Sequence, residues 1–523
     1  MILGAAADFG DAPQSGGRIS IDDLFRRAAS RHPGAIALAD APNRESFTDG
    51  PPLRLSYAEA DRMVSAIAGR LRRMGLATDS VVGIQLPNIA ENVLTLLGVL
   101  RAGLIPAPLP LLWRRADAVM ALARAGAKAL ITCRRVGNFE HGHLATRVAA
   151  EVFSIRYVCA FGGNPPDGVV PLDDLFTAPK LDPIPPLERD DNPAAHVAVI
   201  TFEIGEDGPV PVARRHLELL AGGLGVLLEG RIEQAASVLA TIAPASFAGI
   251  CLTLVPWLLT GGTLALHHAL DADVFARQRR DDRCGTLILP AAAAFRLAET
   301  GLFAHEGPTT ILAAWHAPER LAASADWIER DAALVDVPIF GEAGLIAARR
   351  SAGGRPTALP FGPARAPHDS DGAVTVAELF ATETDTLALR GPMVPRHGFP
   401  PGIERSDQPH FAIRRDGLVD TGYACRVDTM SKTITVTGGP AGIVSVGGYR
   451  FSLCGLLATI GRIDDRATLA ALPDALTGQR LVGNTGDPAA MQAALNAYGI
   501  NPLVIAAFAE RGERAWRQAL AAG

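Results

Sequence analysis

Cysteine is sparse and unpaired in this chain: Cys133, Cys159, Cys251, Cys284, Cys425 and Cys454 lie far apart, without the close spacings of zinc sites or redox dithiols. Reduced thiols in a cytoplasmic protein are expected. An excess of one charge is also missing. The formal net charge of -6 and pI near 6.1 exclude a general attraction for nucleic acid or anionic membrane. The opening MILGAAADFGDAP lacks the basic start and apolar run of a signal peptide, so secretion is not expected. The uncharged run 245–266 is long enough to imitate a membrane span, but Pro256 and the Gly261-Gly262 pair interrupt it. It reads as a buried helix, a turn and a buried strand. There is no Gly-x-Ser-x-Gly elbow, intact Walker loop or His-Glu-x-x-His zinc motif.

What is present is apolar substance in regular order. At 523 residues, with 48% hydrophobic and 20% charged residues, the chain is too long for one core and rich enough to build several. In LSYAEADRMVSAIAGRLRRMG, Ser56 and Glu59 have capping-box spacing. Val64, Ile67, Ala68 and Leu71 recur at helical spacing, and Gly75 stops the helix. A buried strand over Val81 to Leu86 follows, then a helix ending near Gly103, a strand to Pro108, a helix over 116–124 and a strand over 129–132. Helices alternating with continuous apolar strands predict α/β architecture: mostly parallel sheets covered on both faces. The proline- and aspartate-rich stretch 164–193 reads as a long connection. Beyond it, strands are expected over 197–202, 237–241 and 286–289, with a helix over 216–228. Shorter strands with glycine turns begin near Ala373. The spacing predicts a large domain over 1–437, a hinge over 438–442 and a small α+β domain over 443–523.

His267 and His268 are adjacent and would point to opposite faces of a strand, which argues against a shared metal. His141 and His143 read as part of a solvated turn. Clustered arginines such as Arg134 and Arg135 read as solvated faces.

Quoted in order, LSYAEADRMVSAIAGRLRRMGL, VVGIQLPN, LGVLRAGLIPAPL, LLTGGTLAL, RGPMV, DGLVDTGYACRVD, VGGYRFS and LPDALTGQRLV resemble the adenylate-forming superfamily of acyl-CoA and acyl-acyl-carrier-protein synthetases. The resemblance covers nearly the whole chain. It implies a large N-terminal and a small C-terminal domain meeting over ATP and Mg²⁺. A carboxylate becomes an acyl adenylate there, and rotation of the small domain then permits transfer to a thiol.

Carried over by position, the resemblance places the triphosphate loop at Glu203 to Val212, where Gly205 and Gly208 match but Glu206 and Asp207 stand in place of hydroxyl residues, and no lysine follows. A carboxylate about 5 Å from a phosphate charge, at an effective dielectric near 20, opposes binding by about 3 kcal/mol. Arg214 and Arg215 are the nearest basic compensation. Phe340 and Gly341 match the adenine-stacking segment, and Glu342 matches its Mg²⁺-binding, catalytic glutamate. Tyr423 replaces the aspartate that grips the ribose hydroxyls, and a phenol cannot accept two hydrogen bonds from a diol as a carboxylate does. Arg426 matches an arginine that often follows. Gly447 and Gly448 resemble the loop that approaches the incoming thiol. The hinge has lost its charged pivot, and no lysine follows Lys432, so Arg511, Arg514 or Arg517 would have to replace the terminal catalytic lysine.

These departures predict that ATP-dependent adenylation is lost while the fold persists, leaving a binding or regulatory protein for an acyl chain, CoA, an acyl carrier protein, an active paralogue or a second copy. ATP or AMP and Mg²⁺ would be needed only with retained activity. An active carboxylate ligase with unusual ATP contacts, and ATP-independent acyl transfer between thioesters, remain open alternatives.

Overall fold

The computed structural model describes residues 18–177, 192–303, 309–329, 331–367 and 373–509. Part of the proline-rich connection, the start of the chain and Arg511, Arg514 and Arg517 therefore lie outside the described residues.

The helix Tyr57–Arg73 begins at the expected capping box: Ser56 Oγ accepts from the Glu59 N–H while the Glu59 carboxylate accepts from the Ser56 N–H. Its Val64, Ile67 and Leu71 are buried against the helix Ala90–Arg101. Strands Ile105–Pro108, Val81–Gln85, Ala129–Cys133, Tyr157–Phe161 and Val170–Pro171 form an all-parallel sheet in that spatial order. A second, nine-stranded sheet has a parallel centre made of Ala332–Phe340, Thr309–Trp315, Thr286–Pro290, Ser237–Ala240, Thr263–Leu266 and Ile36–Ala39. Both sheets are buried on each face, as the continuous apolar strands predict.

Within 245–266, two short helices, Phe247–Leu252 and Leu254–Thr260, lead through Gly261 in the left-handed region (φ 66) to the strand Thr263–Leu266. The hydroxyl of Tyr57 and the indole of Trp257 both donate to the Gly262 carbonyl, at 2.8 and 3.0 Å. No helix among the described residues is long and apolar enough to cross a membrane.

Two local expectations need correction. The acidic turn Glu206-Asp207 does not join a strand to a helix. It is the two-residue tip of an antiparallel hairpin, Val197–Gly205 with Gly208–Arg215, and the helix His216–Gly230 starts only after the second strand. Gly205 pairs with Gly208 across the tip, and Gly208 has φ 93, a conformation that suits glycine at such a turn. His141 is not solvated. It is 1% exposed at the start of the helix His141–Glu151, with its ring edge-on to Phe139, whereas His143 is exposed as expected.

A six-stranded antiparallel sheet follows, ending with Val419–Asp428 and Thr433–Gly438. After the glycine-rich 439–442 the chain enters a separate four-stranded sheet that includes Ile443–Val446, Tyr449–Ser452, Thr468–Asp474 and Gly478–Asn484. Val444, Phe451, Leu481, Leu495 and Leu503 form the core on which this last unit closes.

Candidate functional site

The parallel strands of both large sheets end on the same space. Thr241, His268, Pro290, His316 and Ile339 lie at or just beyond the carboxyl ends of their strands, where open α/β sheets form ligand crevices. Leu86 to Asn88 and Leu111 to Trp113 enter from the other sheet, and Gly447 to Arg450, the turn and first residues of the last strand pair, cover the space. They line a half-open cavity of about 240 Å³ whose walls are largely apolar.

The covering turn is anchored at three points. Tyr449 accepts the Leu112 N–H at its hydroxyl oxygen (3.3 Å), Arg450 forms an ion pair with Glu203, and Ser452 donates its hydroxyl to the Glu206 carbonyl at 2.7 Å. Gly448 lies directly against the His316 ring, where even one added carbon would sit about 3.3 Å from it. Gly341, at φ 56, is hemmed in by Glu203 and Arg450 in the same way, so a side chain there would collide with the ion pair.

Glu342 turns inward. Its carboxylate accepts the Phe247 N–H at 3.2 Å and lies 4.0 Å from the guanidinium of Arg214, while its own N–H donates to Glu203 at 2.7 Å. Burial pushes the Glu342 carboxyl up to about 7, against the opposing pull of Arg214. Arg214 is itself fully buried. It donates to the Met393 carbonyl at 2.9 Å and lies 3.9 Å over the ring of Phe247, and burial lowers its pKa.

Of the residues singled out in the sequence, Gly341, Glu342, Gly447 and Gly448 come together at this cavity. Phe340 is 1% exposed and lies behind it, packed edge-on against Tyr423 at 5.7 Å. Tyr423 is a core residue, and burial raises its hydroxyl to about 12. Gly205 and Gly208 stay at the hairpin tip, and Arg426 is exposed on the strand Val419–Asp428, with none of the three among the cavity walls. No group of three or more His, Cys, Asp or Glu side chains among the described residues is placed to hold a metal ion. Sequence reasoning missed His316 and Arg450 altogether, and gave Glu203 and His268 other readings than a place at this cavity. For Arg450 the adjoining VGGY was a signal; His316 carries no local mark.

A family model described as AMP-binding enzyme matches residues 25–309, more than half of the chain. Over 205 residues the chain is 28% identical to the 2-hydroxy-7-methoxy-5-methyl-1-naphthoate–CoA ligase of Streptomyces carzinostaticus, covering 38% of this chain and 35% of that protein. Over 161 residues it is 30% identical to the salicyl-AMP ligase / salicyl-S-ArCP synthetase of Mycobacterium tuberculosis, covering 31% and 27%. The matched stretch thus spans about a third or less of these relatives. The solved structure of the amide bond synthetase McbA from Marinactinospora thermotolerans superposes with a TM-score of 0.68 over 92% of this chain and 94% of its own, at 18% identity. That degree of likeness establishes a shared fold.

Proposed function

Because the chain belongs to the AMP-binding enzyme family of adenylate-forming ligases, we propose that it keeps the family's acyl site but no longer adenylates, and instead binds an acyl group presented as acid, CoA thioester or carrier-bound thioester. The observation that carries this reading is the contrast between two halves of one cleft. The apolar cavity is open, while the positions that the resemblance assigns to nucleotide are spent on internal contacts.

Three details support the misfit of a Mg-nucleotide. The hairpin tip presents Glu206 and Asp207, and the Glu206 carbonyl is engaged by Ser452. At the ribose position Tyr423 is sealed beneath Phe340. Glu342 is engaged by the Phe247 N–H and lies 4.0 Å from the Arg214 guanidinium, internal contacts that a metal would have to share or displace. In this reading 438–442 serves as the pivot between domains 1–437 and 443–523.

Calorimetry with ATP·Mg²⁺ tests the proposal, alongside hydroxylamine trapping of any activated acid over a panel of carboxylates. The expected result is no nucleotide heat and no hydroxamate. Hydroxamate that depends on ATP would establish an active ligase and end the proposal.

A second reading is favoured by one observation: Gly447 and Gly448, the counterparts of the family's thiol-approach loop, border the open cavity. Exchange of an acyl group between CoA and a carrier thiol without ATP fits that arrangement. Transfer of radiolabelled acyl groups from acyl-CoA to free pantetheine would distinguish it from simple binding.

A further inference from the structure

His267 and His268 are neighbours in sequence and strangers in environment. The His267 ring is fully engaged: Nδ1 meets Gln278 Oε1 at 2.9 Å and Nε2 accepts the Asp271 N–H at 3.4 Å. The His268 ring is 5% exposed, leans on Phe47 with centroids 4.7 Å apart, and lines the cavity. Neither of its nitrogens has a hydrogen bond or ion pair among the described residues. Its nitrogens are not sealed off, so water or a ligand in the cavity can reach them, and a ligand that displaces that water has to replace its hydrogen bonds. Burial keeps the ring neutral, with its pKa pushed down to about 4, so that one nitrogen donates and the other accepts.

Size narrows the complementary ligand. An enclosed apolar cavity of about 150 Å³ holds benzene. The space of about 240 Å³ therefore accommodates a substituted aromatic ring or a short acyl group between its walls. Trp113 supplies an aromatic wall, and Ile242, Ala248 and Ile339 supply flat aliphatic contacts.

We propose that His268 is the specificity residue of this cavity, selecting a compact aryl acyl group that carries a hydroxyl substituent. The hydroxyl both donates and accepts, as the neutral imidazole does, and satisfies the more deeply buried of the two wall histidines, His268 and His316, that have no hydrogen-bond partner among the described residues. The inference rests on reading the cavity as an acyl site.

The test is calorimetry on the full chain with benzoate, the three hydroxybenzoates and decanoate, each as free acid and as N-acetylcysteamine thioester. At least one hydroxybenzoyl probe is expected to bind about tenfold more tightly than its benzoyl counterpart, the worth of one hydrogen bond to a buried polar group. His268→Phe should bring the two affinities together, and His268→Gln, which retains a donor and an acceptor, should restore part of the difference. Thermal unfolding of each variant confirms that it is folded. Equal binding of benzoyl and hydroxybenzoyl probes by the unaltered protein, or discrimination that survives His268→Phe, overturns the assignment while leaving the acyl site standing. Failure of every probe to bind removes the acyl site and the assignment together.

Discussion

Tyr423 packs its ring edge-on to Phe340, 2% exposed, and its hydroxyl makes no hydrogen bond among the described residues. Tyr423→Phe should therefore cost only on the order of 0.5 kcal/mol in chemical denaturation. Tyr423→Asp, which recreates the family's ribose carboxylate in sequence, places a charge in the core and should cost more than about 3 kcal/mol with no gain in ATP binding by calorimetry. Titration gives a second prediction. Unfolded imidazoles take up a proton near 6.5, whereas burial lowers His268 to about 4 and His141 to about 3. Between those values the unfolded chain holds more protons, so this contribution is complete above pH 6.5 and is lost as pH falls towards 4. Glu342 works in the other sense: raised to about 7, it favours the folded state most below about 4.5 and loses that contribution as pH rises through 7. Glu91 and Asp117, also raised to about 7 by burial, act as Glu342 does, so the contribution of His268 is read by difference: the gap in denaturant midpoint between the unaltered chain and His268→Phe should narrow in favour of the variant as pH falls from 7.5 to 5. The residues at the site were legible only where a motif marked them, as at Gly341, Glu342, Gly447 and Gly448. Glu203 and His316 acquire their roles from partners more than a hundred residues away, Arg450 and Gly448, and no local pattern announces such a pairing.

Elements were more legible than residues because their signals are local. Capping at Ser56 and Glu59, the stop at Gly75 and the apolar strands of the first sheet all follow from propensity and periodicity. The hairpin 197–215 was read only in half: a strand was expected over 197–202, whereas the resemblance assigned Glu203 to Val212 to a phosphate loop and so hid the second strand, Gly208–Arg215. His141 was misplaced because its burial comes from tertiary packing of the helix it opens. At this scale the join between Trp257 and Thr263 offers a sharp test. A Cβ on Gly262 would lie 1.8 Å from the Ala236 carbonyl oxygen, and that backbone belongs to the approach to a central strand. Gly262→Ala should destabilise by about 3 kcal/mol, read as a shifted urea midpoint with an unchanged slope. Gly261→Ala, where no atom lies within 4 Å but φ is 66, should cost closer to 1 kcal/mol.

Across the whole molecule, the last unit is held to the rest by Leu112, which is buried in its core, and by dispersed polar contacts. Arg320 donates to the Asp474 carbonyl at 2.6 Å, Arg115 donates to the carbonyls of Ala497 and Tyr498 at 3.1 and 3.0 Å, and the Glu203–Arg450 ion pair sits between them at the cleft. Arg450→Ala should raise hydrogen exchange across 439–442 and the radius of gyration in solution scattering, with the core of the large sheets unaffected. Exchanging the charges, Glu203→Arg with Arg450→Glu, should recover most of the closed form if attraction between the two groups is the cause, and none if Arg450 matters only as packing.

That ion pair also acts as a competitor built into the chain. A tethered group held opposite its partner behaves as a ligand at millimolar effective concentration. A soluble molecule that needs Glu203 or Arg450 for itself must first displace a rival that never diffuses away. Weak ligands of that spot are thereby screened out, and the cavity beside it is left to molecules that ask nothing of either charge.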